Sequence, residues 1–265
     1  VAVLALTLPL AGCLSNDDRA KMAESESILG PIFKQQTPAE AAAWAADPYD
    51  ADKRARGMNA LAGAPWGGAD AYVALYRERL KDDNAPVRAV AARAIGLHGG
   101  PEDVPKLVPL TKADEVIVRL EATRSLQRLH NPAAVPALIE RLNIAKEPEP
   151  EIRAEAASAL GQYADNAVLQ SLIAALADPS LVVNTGALES LRTLTGNDAL
   201  GIDRKAWTRW AKETERPFAG QRAYVYPVFW REKRWLDYVP FMPPVPNETA
   251  GQPAGFTMER AGKQG

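Results

Sequence analysis

From Pro38 to Glu213 the apolar residues recur at helical spacing, and the pattern itself repeats. Five segments align: KRARGMNALA, VRAVAARAIG, VRLEATRSLQ, IRAEAASALG and VNTGALESLR. Their second residues are Arg54, Arg88, Arg119, Arg153 and Asn184, at steps of 34, 31, 34 and 31. One position earlier stand Lys53, Val87, Val118, Ile152 and Val183; three positions later stand Gly57, Ala91, Ala122, Ala156 and Ala187; seven later stand Leu61, Ile95, Leu126, Leu160 and Leu191. Offsets of four and eight fall on one face of an α-helix. The middle position is always Gly or Ala, which lets a second helix approach closely.

Each segment after the first follows another amphipathic stretch, namely DAYVALYRERL, DVPKLVPLT, AAVPALIERL and AVLQSLIAAL. The predicted unit is therefore helix, turn, helix. A single pair cannot bury its apolar stripe, so neighbours must stack into a solenoid. Breakers fall where this needs them. Thr37-Pro38-Ala39-Glu40 has the form of a capping box with Pro at the first turn, and Asp47-Pro48, Asn131-Pro132 and Asp178-Pro179 mark turns. Pro105 stands near the start of one helix and Pro136 one turn inside another.

The stretches Asn84–Gly96, Glu115–Gln127 and Glu149–Gly161 resemble the D-x-x-V-R-x-x-A-x-x-x-L-G pattern of HEAT repeats, particularly the short HEAT-like repeats of phycobilisome lyases. Asp is absent from all three first positions, with Asp83 and Asp114 one residue earlier. The resemblance implies an all-α, right-handed α-solenoid of about five helix-turn-helix HEAT-like repeats over residues 37–213. It is specific for fold and weak for function, because such scaffolds host many roles.

The chain opens VAVLALTLPLAGC, and Val1 to Leu10 is almost wholly apolar but too short to span a bilayer. Leu10, Ala11, Gly12 and Cys13 resemble the lipobox of bacterial lipoproteins. That resemblance implies a signal peptide over 1–12, truncated because neither Met nor a basic n-region precedes it. It also implies lipidation of Cys13, a membrane anchor through the lipid, and a place in the cell envelope. Residues 13–36 read as anchor and polar tether. Leu14 and Ser15, rather than Asp, follow the cysteine; by resemblance to the sorting rule of some bacterial lipoproteins this implies a lean towards the outer membrane, with the inner membrane as the alternative. Cys13 is the only cysteine, so no disulfide can form within the chain.

Net charge is −2 and the isoelectric point about 5.9, which supplies no basic excess for a nucleic-acid groove. Catalytic motifs are sparse. No G-x-S-x-G and no P-loop occurs, and His98 and His130 are the two histidines. In HEAT-repeat deoxyhypusine hydroxylases, iron ligands stand at comparable helix ends as His-Glu pairs; here Gly99 and Asn131 follow the histidines, so neither a metal nor a cofactor is expected. Glu147, Glu149 and Glu151 read as an exposed charged turn. The recurring arginines read as braces to their own turn and to the adjacent repeat, through acids such as Asp83 or Asp114.

Two and five positions after each aligned residue, the second helices should face outward. These columns are Val90, Glu121, Glu155 and Gly186, then Arg93, Arg124, Ser158 and Glu189. Their mixed charge suits a protein partner better than a polyanion. Gly201 to Trp210 is similar to a G-x-D-x-x-x-W-x-x-W ending of bacterial HEAT-like lipoproteins, and Trp207 and Trp210 read as a terminal cap. Residues 214–246 form an irregular extension rich in aromatics, among them Tyr224, Tyr226, Phe229, Trp230 and Trp235, which must bury them on the solenoid, a partner or a membrane interface. Residues 247–265 read as disordered.

The functional expectation is a membrane-anchored, non-catalytic interaction scaffold whose partner is another envelope protein. The alternatives are a lyase-related protein binding a small ligand or chromophore, and a passive envelope spacer.

Overall fold

The computed structural model describes residues 37–226 and 250–257. Cys13, the lipobox, the tether, Phe229, Trp230 and Trp235 lie outside these residues. The described helices form five pairs and a cap: α1 (Pro38–Ala45) with α2 (Ala51–Ala62), α3 (Asp70–Arg79) with α4 (Ala85–His98), α5 (Val104–Leu107) with α6 (Val116–Arg128), α7 (Val135–Leu142) with α8 (Pro150–Leu160), α9 (Asn166–Ala175) with α10 (Leu181–Thr195), and α11 (Arg204–Glu213). Each second helix packs on the next, α2 on α4, α4 on α6, α6 on α8 and α8 on α10, which makes an α-solenoid. Among the described residues the only β pairing is two isolated bridges.

Local chemistry sets the helix starts. Thr37 and Glu40 form both bonds of a capping box, at 3.2 and 3.0 Å. Asp50, Asn84, Asp165 and Asp203 cap α2, α4, α9 and α11 through their side chains. The stretch expected as one helix before α6 is instead broken. Only Val104–Leu107 is α-helical, between 3-10 turns at Pro101–Asp103 and Val108–Lys112, because Pro105 and Pro109 lack the N–H groups a continuous ladder requires. Pro136 likewise stands at the second position of α7, after a 3-10 turn at Pro132–Ala134.

The small position of each repeat is fully buried, as Ala91, Ala122, Ala156 and Ala187 show. In the first repeat a Cβ on Gly57 would lie 2.4 Å from the Ala45 backbone nitrogen, so only glycine admits α1 this close. The interfaces between second helices alternate with the 31- and 34-residue steps. Across the shorter steps Ser125 sits against Gly96 and Ser190 against Gly161, each donating to a carbonyl of the preceding helix at 2.8 Å. Across the longer step from α6 to α8, Gln127 bonds the Glu155 carboxylate at 3.0 Å.

Arginines lock successive repeats. Arg54 meets Asp82 at 2.8 Å, Arg88 meets Glu115 at 2.8 Å, Arg119 meets Glu147 at 2.8 and 3.0 Å, and Arg153 meets Asp178 at 2.8 and 3.0 Å. Each arginine also donates to backbone carbonyls of the turn before its own helix, as Arg119 does to Ala113 and Asp114. Two expectations change here. Asp114 contributes its carbonyl rather than its carboxylate. Glu147 is not an exposed loop residue but wholly buried between Arg119 and Arg141. Burial raises the Glu147 carboxyl, and the Arg119 hydrogen bonds more than offset it, leaving it below the usual range. The ladder stops where Asn184 replaces arginine and bonds only the Leu176 carbonyl, at 3.1 Å.

Beyond it, Trp207 is fully buried, its indole N–H donates to Gly201, and Trp210 meets it edge-on at 5.5 Å. Gly196, at φ 71°, ends α10 in the left-handed conformation with Gly220 against it. The chain then runs back across the C-terminal ends of the second helices. Arg222 N–H donates to Thr193, the Tyr224 hydroxyl to Ser158 and Ala254 N–H to Arg128, each at 2.8 Å. These are last-turn carbonyls, which a helix cannot satisfy internally. Residues 250–257 therefore pack on the solenoid, contrary to the disorder expected from residue 247. Phe256 stands edge-on to His130, and His130 stacks on Tyr163.

A candidate interaction groove between α8 and α10

The starts of second helices α6 and α10 carry apolar residues that do not belong to the buried stripe. Leu181 is 69% exposed and Val182 65%. They form one wall of a groove of about 410 Å³, with Thr185 and Gly186 from α10 and Glu151, Ala154, Glu155 and Ser158 from α8. Gly186 keeps the floor open, since a Cβ there would meet the Ala154 carbonyl and the Ser158 hydroxyl at 3.3 Å.

Charge gathers at the α8 side. The Arg124 guanidinium reaches Glu155 at 3.0 Å, Glu151 at 2.7 Å and Glu121 at 3.4 Å. Glu155 is 4% exposed, and burial pushes its carboxyl up against the pull of Arg124. It was expected to face solvent; it turns instead towards Gln127 and Arg124 of the preceding helix, which bond its carboxylate. Ser158 and Gly186, from the same two columns, do line the groove.

The other sequence candidates scatter. Arg93 is exposed on α4, and Glu189 is exposed on α10, paired with Arg192 at 2.8 Å. Tyr224 is 4% exposed and packs beside Gly161, so it serves the solenoid itself. Tyr226 bridges Gly251, with Arg128 over its ring. Leu181 and Val182 escaped the sequence reading. Their one signal was an apolar pair at the start of LVVNTGALESLR, off the aligned positions.

The histidines are committed locally. His98 Nε2 bonds the Ala62 carbonyl at 2.7 Å, and His130 Nδ1 faces Gln162 Oε1 at 3.0 Å. Among the described residues, no three His, Cys, Asp or Glu stand where they could hold a metal ion, and no helix is long and apolar enough to cross a membrane. A second cleft, of about 480 Å³, lies at the first turn between Tyr49 and the Arg54–Asp82 pair.

The stacked pairs, their spacing and the arginine ladder fit one repeat type. The HEAT repeats family matches residues 73–143 and 110–192. The helix pairs within residues 73–192 are thus similar to HEAT repeats. A stretch of 65 residues is 38% identical to phycocyanobilin lyase subunit alpha of Synechococcus elongatus. It covers 24% of this chain and 24% of that protein, so about a quarter of the relative's length is matched.

Proposed function

We propose that the protein is a lipid-anchored interaction scaffold of the bacterial cell envelope. In this reading Cys13 carries the acyl chains, residues 14–36 set the reach, and a right-handed solenoid of HEAT-like repeats recruits another envelope protein without catalysing a reaction. The observation that carries it is the groove between α8 and α10. There Leu181 and Val182 stay exposed while the repeat-stacking arginines and acids are engaged in holding the solenoid together. An exposed aliphatic pair beside carboxylates is a surface for a protein segment of mixed apolar and basic character.

The test is a crosslinked pull-down from detergent-solubilised envelopes, comparing the full chain with Val182→Glu and with a chain ending at Arg216. A stoichiometric protein captured by the full chain and lost with Val182→Glu, at unchanged melting temperature, is the expected result. Equal capture by both full-length forms would remove the groove from the reading, and no capture by either favours a passive spacer. The anchor has its own test: labelled palmitate should enter the protein and vanish with Cys13→Ala.

A second reading, a lyase-related protein that binds a chromophore, draws on the similarity to the phycocyanobilin lyase subunit. Incubation with phycocyanobilin followed by gel filtration distinguishes it, since only that reading expects pigment to travel with the protein.

A further inference from the structure

We propose that the outward face of α11 docks on an anionic phospholipid surface through Arg204, Lys205, Arg209 and Lys212. The inference stands on the charges of this helix and does not require the lipid anchor proposed for Cys13.

Position is the first argument. Trp207 is fully buried, and Trp210 and Ala211 pack on the core beside it, so one side of α11 is committed to the solenoid. Positions 205, 209 and 212 are four and three residues apart and share the other side. All four cations are exposed. The stacking arginines each meet a carboxylate of the next repeat, whereas none of these four pairs with one among the described residues. Of the nearby acids, Asp203 caps the helix through its carboxylate at 2.9 and 3.1 Å, and Glu213 and Glu215 follow the last of the four cations.

Local cost is the second argument. Arg204 and Lys205 open the helix at the positive pole of its dipole, and no acid stands in its first turn. Lys205 and Arg209, then Arg209 and Lys212, are neighbours of like charge. The arrangement works against the helix's own stability. An external layer of anions reverses the sign, because it answers the cations and the helix pole together.

Shape selects the partner. From Lys205 to Lys212 the cations span about 10 Å along the axis, on a convex helix surface rather than in a cleft. A protein would have to hold carboxylates in register over that surface, whereas lipid phosphates move laterally and adjust to it. Ile202, 44% exposed, supplies an apolar group two residues before the first cation.

The test uses the full chain carrying Cys13→Ser, which keeps acyl chains out of the measurement. Flotation should carry it with vesicles of phosphatidylglycerol and phosphatidylcholine in equal parts, and far less with phosphatidylcholine alone. Any apolar contribution from residues 1–10 is common to both. Lys205→Gln with Arg209→Gln should weaken binding to the anionic vesicles about twentyfold, since each cation near such a surface is worth roughly fivefold. The melting temperature should not fall, because two like charges are removed. Lys81→Gln with Lys146→Gln takes the same charge from exposed sites elsewhere and should leave binding unchanged. Equal binding to the two kinds of vesicle, or equal loss in the two double variants, would overturn the proposal. Retention on polyglutamate without flotation on anionic vesicles would overturn it too, assigning the face to an acidic protein.

Discussion

The guanidinium of Arg153 and the carboxylate of Asp178, 25 residues apart, form a paired contact at 2.8 and 3.0 Å, with both side chains under 5% exposed. The same guanidinium donates to the Glu147 and Pro148 carbonyls at its own turn. One side chain therefore closes a turn and fastens the next repeat. Arg153→Met should leave Asp178 buried and unpaired, at a cost of about 3–5 kcal/mol. Adding Asp178→Leu should recover much of that loss, because the pair is then replaced by apolar groups rather than broken. Urea unfolding of the two variants checks both statements.

Acid should weaken the fold through Asp103. This carboxylate is wholly buried between Arg77 and Lys106, each at 2.7 Å. Burial raises its pKa, but the Arg77 and Lys106 hydrogen bonds prevail and hold it down to about 2. The unfolded chain takes up this proton near pH 3.9. Its stabilisation is therefore complete above about pH 4 and is lost as pH falls towards 2. Glu155 has the opposite sign. Because burial raises its folded pKa, the native state holds its proton to higher pH than the unfolded chain does, and ionisation there lowers stability. Urea midpoints measured against pH should fall more shallowly below pH 4 in Asp103→Asn, and Glu155→Gln should remove a loss on the neutral side.

Gly57→Ala should detach the first helix rather than unfold the chain. The new methyl group would meet backbone atoms Ala45 N at 2.4 Å and Ala41 O at 2.6 Å, neither of which can rotate away. Overpacking of this kind costs about 1–3 kcal/mol. Faster proteolysis within α1, with later repeats protected as before, is the expected outcome.

The returning C-terminal segment should be separable from the solenoid. Phe256→Ala removes the ring that stands 5.2 Å from His130, and residues 250–257 should then exchange amide hydrogens faster. Tyr224→Phe loses a buried hydroxyl bonded to Ser158, worth about 1 kcal/mol. Hydrogen exchange at α6 and α8 reports both, and unchanged protection at Ala254 in Phe256→Ala would count against this packing.

The repeated unit was legible because its causes are local. The spacing of Leu61, Ile95, Leu126, Leu160 and Leu191, the small residue between, and the caps at Thr37 and Asp203 act within a few residues of themselves. The recurring arginines could likewise be recognised as braces. Their partners could not, since Asp82, Glu115, Glu147 and Asp178 stand 25 to 28 residues further on and belong to the next repeat.

What the sequence by itself determined is therefore the helical pair, its number of copies and the residue that fastens each to the next, because periodicity and capping are properties of a short stretch. Tertiary structure alone decided that Glu147 and Glu155 turn inward while Leu181 and Val182 stay out, because the groups that receive the two carboxylates, Arg119 for the one and Arg124 and Gln127 for the other, belong to the preceding repeat. It also decided that a polar, glycine-containing tail lies along the solenoid, because the carbonyls it answers belong to the ends of helices distant in the chain.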